Sequence, residues 1–192
     1  MKAHIIYAHP SPQSFNHAIL QQVRSSLVAA EVDHTISDLY EMDFNPILRL
    51  ADRKTVQKDV LTEQQKITEA DFIIMIYPVW WTQMPAILKG YIDRVFAYNF
   101  AFQLNETGFP IKLLQGKKGM VISTYGHPDH FYEKEGYLAA FEKTVDMGIL
   151  DYVGIEPIAH LHFGNIARKS NEERKSDLAS VESSIIEHFG NN

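Results

Sequence analysis

Four near-continuous apolar runs, each followed by a helix-like stretch, constrain the fold of this chain more than any other feature. They occupy residues 3–8, 72–77, 119–124 and 152–159; a fifth run, residues 32–39, is broken by alternating polar side chains. A strand that is apolar on both faces meets water on neither, the condition inside a parallel sheet covered by helices. The segments between carry apolar residues at helical spacing. Ser14 stands as N-cap to a helix expected over residues 15–30, with Ala18, Leu20, Val23 and Leu27 along one side. Pro85 opens another over residues 85–96, where Ile87, Leu88, Ile92 and Val95 recur. Helices over residues 62–69, 132–147 and 171–189 complete the set. Alternating strands and helices predict one doubly wound α/β domain over residues 1–192, with right-handed crossovers. Periodicity does not fix the strand order. Two connections, residues 42–61 and 98–116, are long by the usual standard of about 4–6 residues.

Composition narrows the function classes. A chain of 192 residues, 45% hydrophobic and 22% charged, is an ordinary globular domain that can bury its own core. It has no cysteine, which excludes disulfide scaffolds, cysteine zinc sites, iron–sulfur clusters and thiol nucleophiles. A net charge of −6 argues against nucleic acid as a partner, because phosphate contacts need clustered Lys and Arg. No apolar run approaches the roughly 18 residues of a membrane span. Met1-Lys2 leads into a run too short and too soon interrupted for a signal peptide, so a cytoplasmic location is expected.

In doubly wound sheets ligands bind at the carboxyl ends of the strands, so the loops there are the ones to read. Residues 9–16 (HPSPQSFN) lack glycine and form neither GxGxxG nor a Walker loop. They offer hydroxyls and an imidazole at a helix N-terminus, where free amides and the helix dipole attract an anion; the plainer role of Ser14 is capping alone. Residues 77–85 hold both tryptophans, Trp80 and Trp81, between two prolines. Such a pair either packs under the 98–116 connection or walls a flat aromatic ligand. Residues 123–132 gather His127, Asp129 and His130. With His160 and His162 from the end of the fifth strand, these are either metal ligands, donors around an organic cofactor, or an exposed loop. There is no HExxH, and no GxSxG nucleophile elbow.

Three segments carry a resemblance: residues 9–16, residues 38–46 (DLYEMDFNP) and residues 78–96 (PVWWTQMPAILKGYIDRVF). They resemble the NAD(P)H:quinone oxidoreductase family of flavodoxin-like flavoproteins, which includes the animal quinone reductases and small bacterial ones. The resemblance implies a flavodoxin-like three-layer sandwich with a five-stranded parallel sheet in the order 2-1-3-4-5. It also implies a bound flavin, FAD with FMN as the alternative, NAD(P)H as co-substrate, a quinone-like acceptor, and a homodimer with active sites at the subunit interface. By position, His9, Ser14, Phe15 and Asn16 match the family loop around the flavin diphosphate and ribityl chain. Pro78, Val79, Trp80 and Trp81 match the loop along the isoalloxazine. Thr124, Tyr125, Gly126 and His127 match the loop at its pyrimidine end, and Tyr132 matches the tyrosine near flavin O2. Phe102 matches an aromatic lining the substrate pocket.

The implied mechanism is a ping-pong hydride transfer from NAD(P)H through the flavin. Tyr132 and His127 are the expected catalytic groups, Trp81, Phe102 and His130 the substrate contacts, and no metal takes part. The chain departs from the family at two positions. The catalytic histidine of the animal enzymes falls at Leu138, and the second pocket tyrosine at Leu104. Relatives that serve as ancillary subunits of potassium efflux systems give the alternative function, a redox-sensing regulatory subunit with a peripheral membrane-protein partner.

Overall fold

β1 (Lys2–Tyr7), β3 (Phe72–Pro78) and β6 (Lys118–Thr124) are the apolar runs, and they are interior strands. β2 (Asp33–Asp38) and β7 (Glu156–Phe163) lie at the two edges, which is why β2 tolerates polar residues. The computed structural model describes residues 1–53 and 55–190. All five strands pair in parallel in the order β2-β1-β3-β6-β7, which is 2-1-3-4-5 when only this sheet is counted. A two-stranded antiparallel hairpin, β4 (Phe102–Leu104) and β5 (Pro110–Lys112), stands outside it within the long 98–116 connection.

The two faces of the sheet hold separate cores. On one face Ile5, Ile74 and Ile122 pack against Ile19 and Val23 of α1 (Phe15–Ala29) and Val181 and Ile185 of α6 (Asn171–Phe189). On the other, Ile6, Met75 and Val121 meet Ile67 of α2 (Lys58–Glu69) and Leu88 of α3 (Ala86–Val95). The second face also buries a charge. Glu63 is fully buried and accepts hydrogen bonds from Ser37 at 2.5 Å, Lys66 at 2.6 Å and Tyr91 at 3.1 Å, with the His4 imidazole 3.8 Å away.

Several local expectations need correction. The helix expected over residues 132–147 is three pieces: α4 (Asp129–Lys134), α5 (Tyr137–Phe141) and a π-helical segment, Glu142–Asp151. Gly136, with φ at 74°, ends the first piece in a conformation that side chains disfavour. The last strand runs four residues later than the 152–159 window, because Val153 and Ile155 belong to the core beneath the sheet rather than to the ladder. His160 and His162 therefore lie inside β7, not beyond it. The expected 62–69 helix begins earlier, at Lys58, and Pro85 is the residue before α3 rather than its first.

Candidate active site

The carboxyl ends of β1, β3 and β6 converge on one rim. Ser14 caps α1 as expected, its Oγ accepting the His17 N–H at 3.1 Å, and the Tyr7 hydroxyl lies 3.4 Å away. The amides of Phe15 and Asn16 are the unspent donors of that first turn among the described residues. The Asn16 carboxamide donates to Thr124 Oγ1 at 2.7 Å, tying α1 to β6, and its Oδ1 is buried without a partner. Phe15 packs edge-on to Phe163. His9 turns its Nδ1 back to accept the Ser11 N–H at 3.0 Å, and burial lowers its pKa.

Pro78 and Val79 are buried, and the Val79 N–H donates to Thr124 O at 2.7 Å. Beyond them Trp80 and Gln83 exchange two backbone hydrogen bonds around Trp81 and Thr82, whose φ values are 51° and 58°. Two consecutive left-handed residues make a type I′ turn, which favours Asn-Gly. Holding a tryptophan and a threonine there stores strain, and strained backbone of this kind gathers at functional sites. The turn leaves the Trp81 side chain 97% exposed, while Trp80 is half-exposed and edge-on to His9 at 6.2 Å.

The third loop is built from stacked rings. Tyr125 is buried against Tyr132 at 4.2 Å and 11°, and its hydroxyl donates to Asp129 Oδ1 at 2.7 Å. Burial and the Asp129 carboxylate push its pKa up; burial does the same for Tyr132. Gly126 lies in the open, with nothing within 4 Å of where a Cβ would stand. His127 is exposed and stacks on Phe131 at 5.1 Å; His130 is exposed in the first turn of α4. Leu138 is half-buried against the core and supplies no proton-handling group.

Two groupings do not form within one chain. His160 and His162 turn from β7 toward Ser123 and Asp146 while His127, Asp129 and His130 sit on the rim, and among the described residues no three His, Asp or Glu side chains are placed to hold a metal. Phe102 and Trp81 do not share a slot within one chain. Phe102 packs edge-on to Tyr98 and Tyr152 in a groove of about 700 Å³ beside the C-terminus of α3. Trp81 precedes the other end of that 10-residue helix, which is about 15 Å long.

Sequence reasoning missed the loop after β7. Asn165 donates its N–H to His127 O at 2.8 Å and Ile166 to Tyr125 O at 3.3 Å, bracing the third loop. A Cβ on Gly164 would stand 2.2 Å from Asp129 Oδ1 and 2.7 Å from His127 O. Arg174 donates to Ile166 O at 3.1 Å and keeps a buried Nε without a partner. The available signal was the position of this loop, at the end of a strand in the same sheet.

An exposed indole on a strained turn, free helix amides, a buried acceptor without a donor and an open glycine edge together fit a flat aromatic group with an anionic tail, and a flavin has that chemistry. Comparison with known proteins agrees in class. A family model described as flavodoxin-like fold matches residues 1–188. An uncharacterized NAD(P)H oxidoreductase of Haemophilus influenzae is 35% identical over 90% of this chain and 88% of its own. The ribosyldihydronicotinamide dehydrogenase [quinone] of Mus musculus is 32% identical over 93% of this chain and 88% of its own. The solved NAD(P)H:quinone oxidoreductase of Methanothermobacter marburgensis superposes with a TM-score of 0.86 at 26% identity, covering 96% of this chain and 95% of that one. The chain belongs to this family of flavodoxin-like NAD(P)H:quinone oxidoreductases. It is an enzyme of that class, and among its described residues no helix is long and apolar enough to cross a membrane.

Proposed function

We propose that the rim holds a flavin and that the protein reduces quinone-like acceptors with NADH or NADPH in a ping-pong cycle. The bound flavin supplies the two-electron chemistry, which no side chain here can perform alone. The amides of Phe15 and Asn16, with the dipole of α1, hold the phosphate tail. Thr124, Tyr125 and Gly126 face the polar end of the ring system, Tyr132 and His127 serve it with donors, and Trp80 and Trp81 flank its apolar face. Such donors stabilise negative charge that arises in the pocket during reduction. FAD is the cofactor favoured by residues 38–46, with FMN the alternative. The observation that carries this reading is Trp81: a strained turn at the end of β3 holds a large apolar ring in water, which is costly without a ligand to cover it.

We further infer a homodimer in the cytoplasm. Leu48 (39% exposed), Tyr98 (55%) and Leu104 (46%) line the Phe102 groove as exposed apolar side chains, and a second copy covering it would bring one chain's Phe102 toward the partner's Trp81 loop. His130 then stands at the edge of the acceptor site. Purified protein is expected to be yellow, and the extracted chromophore to have the mass of FAD. A folded, colourless protein that takes up neither FAD nor FMN overturns the proposal. Trp81→Ala is expected to weaken flavin or acceptor binding by about 1–3 kcal/mol, the usual worth of a stacking ring. Equal affinities by fluorescence titration and equal KM values would remove Trp81 from the site.

A further inference from the structure

Asp146, His160, Ser123 and His162 form a continuous polar chain inside the core face of the sheet. Asp146, from the middle of the π-helical segment, approaches His160 Nδ1 at 3.0 Å. His160 Nε2 lies 3.4 Å from Ser123 Oγ, and Ser123 Oγ lies 3.0 Å from His162 Nδ1. The two imidazoles stack at 4.0 Å. The chain ends at His162 Nε2, which is buried and has no hydrogen-bond partner.

The order Asp–His–Ser is that of a hydrolytic triad, but Ser123 is fully buried and no substrate can reach its hydroxyl. Proton accounting gives the chain a different use. The Asp146 carboxylate accepts from His160 Nδ1–H. With His160 neutral, its Nε2 is an acceptor, Ser123 donates to it, Ser123 Oγ accepts from His162 Nδ1–H, and His162 Nε2 is a bare lone pair. A proton added at that lone pair is passed inward. His162 gives up its Nδ1 proton to Ser123, Ser123 gives its own to His160 Nε2, and the charge comes to rest on His160 beside the Asp146 carboxylate. His162 is neutral before and after the transfer, and only its tautomer differs.

We propose that this chain is a one-proton store serving the reductive chemistry of the rim, with His162 as its outlet. The assignment rests on the flavin-dependent reading above. Its position supports that use. Ser123 and His162 are each one residue inside Thr124 and Phe163, the last residues of their strands, about 3.3 Å below the rim. His162 packs on Phe141, and Phe141 on Tyr132. Every neighbour is consistent with a store that holds one proton and not two: burial and the adjacent His160 hold the pKa of His162 down at about 3. Glu142, from the π-helical segment, has its carboxylate 4.0 Å from His162 Nε2 and is more than half exposed, so it links the outlet to solvent. Tyr77 faces Asp146 from the neighbouring strand, while Glu187 and His188 of α6 lie along the other face of β7.

The charge balances over a cycle. A hydride arriving from NAD(P)H adds two electrons and one proton to the pocket, a net charge of −1, and one proton from water entering past Glu142 offsets it on His160. When the acceptor leaves with the hydride and a proton from solvent as the two-electron, two-proton product, the negative charge is gone and the stored proton returns through His162 to water past Glu142. The store takes the place left by Leu138, which cannot carry a proton.

The test is nitrogen NMR of the imidazole rings in the flavin-loaded wild-type protein, before and after reduction with excess NADH. On reduction His160 is expected to become an imidazolium, and His162 to change from the Nδ1–H to the Nε2–H tautomer without becoming one. In Ser123→Ala the two rings should become independent, and kcat should fall about tenfold or more, the low end for general acid–base groups, with KM for NADH changed less than about twofold. A His162 that keeps one tautomer while His160 takes up the proton, or that becomes the imidazolium itself, overturns the store. A pair whose protonation and tautomer ignore reduction overturns its link to the rim. A folded protein that takes up no flavin overturns the parent reading, and this assignment with it.

Discussion

Glu63→Ala is expected to cost about 3–5 kcal/mol of folding stability, the range for breaking a buried charge cluster by removing one partner. The substitution strands four groups at once: the Lys66 ammonium, the Ser37 and Tyr91 hydroxyls and the fully buried His4. For a domain of this size, a loss of that order lowers Tm by roughly 6–20 °C. Chemical denaturation of the two proteins at pH 7 checks it, and a loss under 1 kcal/mol would mean that the cluster is no better than an apolar packing.

The same carboxylate makes stability fall in acid. Burial pushes its pKa up, but His4, Lys66 and Ser37, with the Lys66 charge, outweigh burial and hold it at about 2. The folded value lies below the unfolded one, so the stabilisation is complete above about pH 4.5 and disappears as pH falls toward 2. A displacement of that size corresponds to about 3 kcal/mol at most, roughly 2 of which are gone by pH 3. Glu63→Gln, which does not titrate, should lose correspondingly less stability between pH 7 and pH 3 than wild type. Parallel losses would place the acid sensitivity elsewhere.

Gly164→Ala should uncouple folding from cofactor binding. The added methyl would stand 2.2 Å from Asp129 Oδ1, 2.5 Å from the Tyr125 ring and 2.7 Å from His127 O; the exposed Asp129 carboxylate can swing aside, but the Tyr125 ring, stacked on Tyr132, and the His127 carbonyl yield only if the 125–129 loop moves. Its cost, about 1–3 kcal/mol for overpacking, falls on the loop rather than on the sheet. Flavin affinity is therefore expected to drop roughly five- to 150-fold while the cooperative unfolding of the apoprotein changes little. Affinity equal to wild type would show that this loop does not shape the pocket.

The alternation of apolar runs with helical spacing was enough to find the three interior strands, the capping role of Ser14 and the three loops at the rim. These are local properties: a strand buried on both faces must be apolar throughout, and a helix start needs its cap whatever else surrounds it. The loop read after residues 72–77 likewise put both tryptophans beside the strand ends, where they stand.

What local pattern left undecided was partnership between distant segments. Residues 152–159 read as a strand because Tyr152, Val153 and Ile155 are apolar, yet these serve the core and the ladder with β6 begins only at Glu156. That displacement of four residues takes His160 and His162 off the rim and sets them on one face of β7, opposite Ser123 and Asp146, since side chains alternate along a strand. The separation of Trp81 from Phe102 has the same origin. The resemblance made both of them substrate contacts, but the helix between them holds them at opposite ends within one chain.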